Sequence, residues 1–97
     1  MIIRILPSAL DDLADGFLFY EYQKSGLGNH FLATLESEID KLDYEASIHP
    51  VVYDFYHVKY SDKFPYAIFY YIFEGTVMVD AVLDCRRDPD WIKERLN

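Results

Sequence analysis

The sequence predicts an α+β domain in which two helices, joined as a hairpin, cover one face of an antiparallel sheet and a short helix closes the chain. Three observations carry this. Apolar residues recur at helical spacing between Leu10 and Leu42, the period changes to two from Val51 onward, and Gly, Pro and Asp punctuate the chain where the period breaks. The expected order is βααβββα in one domain spanning residues 1–97, since no linker, repeat or low-complexity stretch interrupts it.

The opening Met1-Ile2-Ile3-Arg4-Ile5-Leu6 is apolar and β-branched and stops at Pro7, which reads as a first strand. Ser8 with Asp11 three positions later resembles a weakened capping box, and Asp12 and Asp15 add negative charge near the positive end of the helix dipole. Leu10, Leu13, Phe17 and Tyr20 then follow helical spacing to about Ser25, where Gly26-Leu27-Gly28 supplies the glycine turn of a helical hairpin. The second arm carries Phe31, Leu35, Ile39 and Leu42 on one face and acidic residues around the rest, ending at His49-Pro50.

In the next strand Tyr56, Val58 and Tyr60 alternate with Phe55, His57 and Lys59, with Lys63 continuing the second set. Asp62-Lys63 separates it from Phe64–Phe73, apolar on both parities and therefore a central strand covered on both faces. Glu74-Gly75 is a short hairpin turn. Thr76–Asp84 follows, with Val77, Val79, Ala81 and Leu83 on one parity and Met78, Asp80, Val82 and Asp84 on the other. Asp88 and Pro89 are a good N-cap and first-turn residue for a last helix through Trp91 to Leu96. The sheet face away from the hairpin is left partly open, and His57, Lys59 and the turn Cys85-Arg86-Arg87-Asp88-Pro89 are expected to meet there.

Composition narrows the function classes. Half the residues are apolar, 52%, and 18% are aromatic, which excludes a disordered chain. The apolar run Ala67–Phe73 is far shorter than the ~20 residues that cross a bilayer. The amino terminus lacks the pattern of a secretory signal, and Cys85 has no partner for an intramolecular disulfide, so a reducing, cytoplasmic location is expected. The net charge of −8 is uneven: residues 1–50 hold three cations against nine acids, giving −6, and residues 51–97 hold six against eight, giving −2. Such a chain is repelled by nucleic acid and by anionic membranes, which favours a protein partner and no membrane.

Taken in order along nearly the whole chain, several fragments form one pattern: Leu6-Pro7-Ser8-Ala9 with Asp12-Leu13, Gly26-Leu27-Gly28 with Phe31 and Leu35, Lys63-Phe64-Pro65-Tyr66 with Ile68 and Tyr70-Tyr71, and Ala81-Val82-Leu83 leading to Arg86-Arg87-Asp88-Pro89 and Trp91. With these fragments the chain resembles the RelE/ParE superfamily of toxins from type II toxin–antitoxin modules, often labelled plasmid stabilisation proteins. The Gly-Leu-Gly hairpin and the Phe-Pro-Tyr strand favour the ParE-like branch. The resemblance implies a growth-arresting toxin held inactive by a cognate antitoxin, in a homo- or hetero-oligomer with it. ParE-like members act on DNA gyrase by protein binding, and RelE-like members cut messenger RNA on the ribosome.

Metal-free RNA cleavage needs a base, an acid and cations around the phosphate. The candidates are His57 or Lys59 as base, Arg86 and Arg87 as stabilisers and Lys63 as a phosphate contact. The chain departs from the RNA-cutting pattern at Asp84, where many relatives carry His, at Cys85, where Gly is common, and in lacking any Tyr after Tyr71. Asp80 and Asp84 on the Arg86 parity are expected to neutralise that arginine. A protein-binding role for Lys63, Arg86, Arg87 and Trp91 is therefore favoured, with RNA cleavage and a degenerate, weakly toxic member as alternatives. His30 and His49 show no ligand spacing, so no metal or other cofactor is expected.

Overall fold

The structure is a computed structural model that describes residues 1–96. Five strands form one sheet in the order β1-β5-β4-β3-β2, with β1 (Ile2–Ile5) parallel to β5 (Thr76–Asp84) and the other neighbours antiparallel. The hairpin of α1 (Pro7–Gln23) and α2 (Leu27–Asp40) covers one face, and α4 (Pro89–Leu96) crosses the other. The α+β class and the helical hairpin agree with the sequence reading. Two elements are additional to it: a short α3 (Leu42–Glu45) and the two-residue β2 (Val51–Val52), which pairs with β3 (Tyr56–Tyr60).

The start of α1 differs from the capping-box reading. Pro7 is the first helical residue, where its fixed φ and missing N–H cost nothing, and no side chain caps the helix. Leu6 still pairs with the sheet, donating to the Val79 carbonyl at 2.9 Å. The Ser8 hydroxyl instead serves β5, 2.8 Å from the Asp80 carbonyl oxygen and 2.9 Å from Asp80 Oδ1. The buried face of α1 is Ala9, Leu13, Gly16 and Tyr20, so Leu10, grouped with that face from its spacing, lies outside it.

The hairpin turn is tied by Glu21, whose carboxylate accepts from the Gly26 and Gly28 amides at 3.0–3.1 Å. Gly26 sits at φ 90°, and Gly28 lies where the two helices touch: a Cβ there would stand 2.7 Å from the Phe17 carbonyl oxygen. Because backbone cannot move aside as a side-chain tip can, Gly28→Ala is expected to destabilise the fold by about 1–3 kcal/mol, read as a lowered urea midpoint.

Two apolar clusters sandwich the sheet. On the hairpin face Phe31, Leu35, Ile39, Ile68, Tyr70, Val77, Val79 and Val82 are buried; on the other face Ile92 and Leu96 of α4 close over Tyr56, Val58, Ala67, Phe69, Ala81 and Leu83. The second face is therefore covered at its centre, not left open. Val77 and Val79 share a face, but Ala81 and Leu83 lie on the opposite one, because Tyr70 opposes Val79 while Phe69 opposes Ala81, leaving Asp80 as the extra residue of a β-bulge. The bulge reverses the strand's alternation.

Candidate functional site

The C-terminal turn is built by short-range bonds. At the end of β5 the Cys85 amide donates to Pro65 O at 2.9 Å and the Arg87 amide to Asp84 O at 3.1 Å, which folds Cys85-Arg86-Arg87 back over the sheet end. Asp88 then starts α4 as expected: its Oδ1 accepts the Asp90 amide at 2.8 Å, with Pro89 as first helical residue.

The two arginines have different fates. Arg86 is held by the last residue of its own strand, with Nε 2.9 Å from Asp84 Oδ1 and a terminal nitrogen 2.6 Å from Oδ2. That two-pronged bond lowers the Asp84 pKa and raises that of Arg86. Arg86 is thus neutralised by Asp84, as expected, but not by Asp80, which the bulge turns away. Arg87 carries no carboxylate partner among the described residues. Its guanidinium lies 4.0 Å from the centre of the Trp91 ring, a cation held on an indole face one helical turn further on.

Arg87 also divides two concavities. A cleft of about 520 Å³ runs between α1 and the turn, lined by Asp12, Asp15, Phe19, Asp84, Trp91 and Arg95. A second of about 430 Å³ lies on the α4 face, lined by Tyr53, Tyr60, Phe69, Cys85 and Ile92. Arg87 lines both. Lys63 is exposed in the β3–β4 turn, two residues before the Pro65 that meets Cys85, so the turn carrying it adjoins the arginines.

His57 and Lys59 are not in this group. Both project to the hairpin face, opposite the side on which the sequence reading placed them. The Lys59 ammonium donates to the Glu38 carbonyl oxygen at 2.7 Å and to Glu45 Oε1 at 2.8 Å. Hydrogen bonds from Lys59 and then His49 lower the Glu45 pKa. The His57 ring stacks on Tyr70 at 5.1 Å, with Nδ1 2.8 Å from the His49 carbonyl oxygen, and Tyr70 donates to Ala46 O at 2.6 Å. Burial pushes the Tyr70 hydroxyl up to about 12. These residues fasten α3 to the sheet. Phe55, assigned to the His57 parity, stands in the β2–β3 turn with its ring on Tyr56 and Tyr71.

A polar network beside the cleft escaped the sequence reading. Asp12, assigned to the helix dipole, accepts the Val82 amide at 3.0 Å just beyond the end of β1 and binds Arg95 of α4 at 2.8 Å. Burial raises its pKa, and the Val82 and Arg95 contacts offset part of that rise. The Tyr56 hydroxyl reaches Asp80 Oδ2 at 2.6 Å and the Leu96 carbonyl oxygen at 2.9 Å, one proton between two acceptors. Its pKa is raised by burial and then by Asp80. The network pins the C-terminal end of α4, at Arg95 and Leu96. No three His, Cys, Asp or Glu side chains converge on a metal-sized point among the described residues, and no described helix is long and apolar enough to cross a membrane.

No protein-family model and no curated protein matches the chain. Among solved structures, a chain of the "Chromosomal ParDE TA system from P. aeruginosa" is similar in fold, with a TM-score of 0.79 over 84% of this chain and 92% of that one, at 10% sequence identity. At that identity the likeness is one of architecture: the chain shares the fold of that ParDE chain.

Proposed function

We propose that this protein is the toxin of a type II toxin–antitoxin module, that it arrests growth by binding DNA gyrase, and that a cognate antitoxin holds it inactive. The observation that carries the protein-binding mode is the separation of the candidate side chains. Arg87 stands on Trp91 with no carboxylate partner among the described residues, flanked by two concavities at the end of the sheet, while His57 and Lys59 are bonded elsewhere, to the segment that joins the hairpin to the sheet. A lone guanidinium over an indole suits recognition of a partner's carboxylate or carbonyl groups; arginine and tryptophan are the residues that most often dominate protein interfaces. Cleavage of a phosphodiester requires a proton acceptor next to the cations, and the candidates for that role point away.

The target-binding set is then Arg87 and Trp91 at the centre, Lys63 at the margin and Arg86 as a neutralised neighbour. The charge of −8 fits a protein target better than a ribosome-bound messenger. The cytoplasm is the setting, in keeping with the lone exposed Cys85. Controlled expression without an antitoxin tests the reading: arrested growth with a DNA-damage response and intact messengers is the expected outcome. Cleaved messengers with intact DNA would replace it with a ribosome-dependent nuclease, and unimpeded growth with a weakly toxic family member.

A further inference from the structure

Four tyrosines are buried among the described residues, and only two of them bond their hydroxyl inside the protein. Tyr56 and Tyr70 donate to acceptors at 2.6–2.9 Å, as buried tyrosines ordinarily do. Tyr20 and Tyr66, 7% and 8% exposed with ring centres 6.1 Å apart, form no hydroxyl bond among the described residues. Tyr66 lines the cleft of about 520 Å³ between α1 and the turn, and its hydroxyl is not sealed in: among the described residues Glu38 Oε1 alone is both sealed from solvent and unbonded. The cleft is therefore what that hydroxyl opens on. Burial pushes its pKa up to about 12, so it remains a proton donor at neutral pH. The charges around the cleft cancel in pairs, with two left over. Asp12 is bonded to Arg95 and Asp84 to Arg86, while Arg87 and Asp15, which line the same cleft, have no partner of opposite charge among the described residues. Phe19 and Trp91, 49% and 37% exposed, supply an apolar wall. We propose that this cleft binds a small zwitterion with a large apolar side chain, an aromatic amino acid or a short peptide carrying one, with its carboxylate on Arg87 and the Tyr66 hydroxyl and its ammonium on Asp15.

The unbonded groups select this class. A guanidinium beside a hydroxyl donor suits a carboxylate, and an unpaired carboxylate suits an ammonium. A phosphate or other dianion would meet Asp15 and Asp84 in a chain of −8, whereas a zwitterion brings no net charge to be repelled. An amine alone would leave Arg87 and the Tyr66 hydroxyl without an acceptor, and an uncharged apolar molecule would bond none of the three. The volume lies within the ~300–1,000 Å³ of small-molecule sites, which set a few polar groups in an apolar lining. Arg87 and Trp91 also belong to the target-binding set proposed above, but the inference does not rest on that reading, and its test needs neither target nor toxicity.

Trp91 is the chain's one tryptophan, so its fluorescence reports on the cleft, with titration calorimetry as a second readout. The purified full chain is titrated with phenylalanine, with the dipeptide phenylalanylglycine, and with two part-ligands: phenylpropanoate, which lacks the ammonium, and phenethylamine, which lacks the carboxylate. The better of the two zwitterions is expected to bind with a Kd on the order of 0.1–1 mM, at least about fivefold more tightly than either part-ligand, and its identity separates a free amino acid from a peptide as the source. Tyr66→Phe should weaken that binding about tenfold and leave the Tm within about 2 °C, because no internal hydrogen bond is lost. Tyr70→Phe, which removes the bond to the Ala46 carbonyl oxygen, should lower the Tm and leave the Kd in place. Asp15→Asn should erase the preference for the zwitterion over phenylpropanoate, a coupling that a merely structural role would not produce. Arg87→Gln should weaken both. The proposal is overturned by the absence of saturable binding of either zwitterion at about tenfold above that range, by equal affinity for phenylpropanoate, by indifference to Tyr66→Phe, or by an equal loss from Tyr70→Phe.

Discussion

Lys59→Ala is expected to destabilise the protein by about 2–4 kcal/mol, a fall in Tm on the order of 10–25 °C for a domain of this size. Lys59 is 8% exposed and its ammonium is the donor for both Glu38 O and Glu45 Oε1. Removing it leaves the Glu38 carbonyl oxygen without its ammonium donor and the partly buried Glu45 carboxylate with only its His49 contact. The loss comes from the orphaned groups more than from a large intrinsic strength of the pair, so Lys59→Met combined with Glu45→Leu should recover most of the stability. The pH dependence has a definite sign. The folded-state pKa of Glu45 lies below its ordinary 4.5, so its contribution is fully present above that value and disappears as pH falls through the lowered folded value. Denaturant midpoints of the parent and of Glu45→Gln should therefore converge as the solution is acidified. A base in RNA cleavage would behave otherwise: Lys59→Ala would abolish activity and leave the Tm in place.

The second large effect belongs to Arg87. In the expression assay, Arg87→Ala should relieve growth arrest, and a purified-target binding measurement should show a loss of about 2 kcal/mol or more, roughly thirtyfold in affinity. Trp91→Ala should follow it, because the indole fixes where the guanidinium sits. Arg86→Ala should cost far less, since Arg86 is exposed and bound to Asp84. Equal losses for Arg86 and Arg87 would mean that the target reads the summed charge of the turn and not one positioned cation.

The helical hairpin was legible because its apolar period is that of a helix and Gly26-Leu27-Gly28 supplies residues that a tight turn requires. The Glu74-Gly75 turn was legible for the same reason: both residues take positive φ, at 49° and 75°. Alternation correctly separated Tyr56 and Val58 from His57 and Lys59, but could not say which set faces the hairpin. Both faces of this sheet are covered by helices, so neither parity is reliably polar, and buried Lys59 and half-buried His57 lie on the side opposite to the one expected. The bulge at Asp80 was hidden similarly, since Val79, Ala81, Val82 and Leu83 are all apolar and a one-residue slip leaves no polar residue out of place. The Arg86–Asp84 pair was visible because its members are two residues apart at a strand end. The bonds of Asp12, which join α1 to β5 and α4, span 70 and 83 residues and leave no trace in local pattern.

Function turns on whether the cationic turn holds a protein or cuts RNA, and one measurement addresses that directly: purified protein, free of antitoxin, titrated in parallel into a gyrase supercoiling reaction and into programmed ribosomes carrying labelled messenger. The expected result is loss of supercoiling, abolished by Arg87→Ala, with the messenger intact. Messenger cut on the ribosome while supercoiling proceeds unchanged would contradict the account.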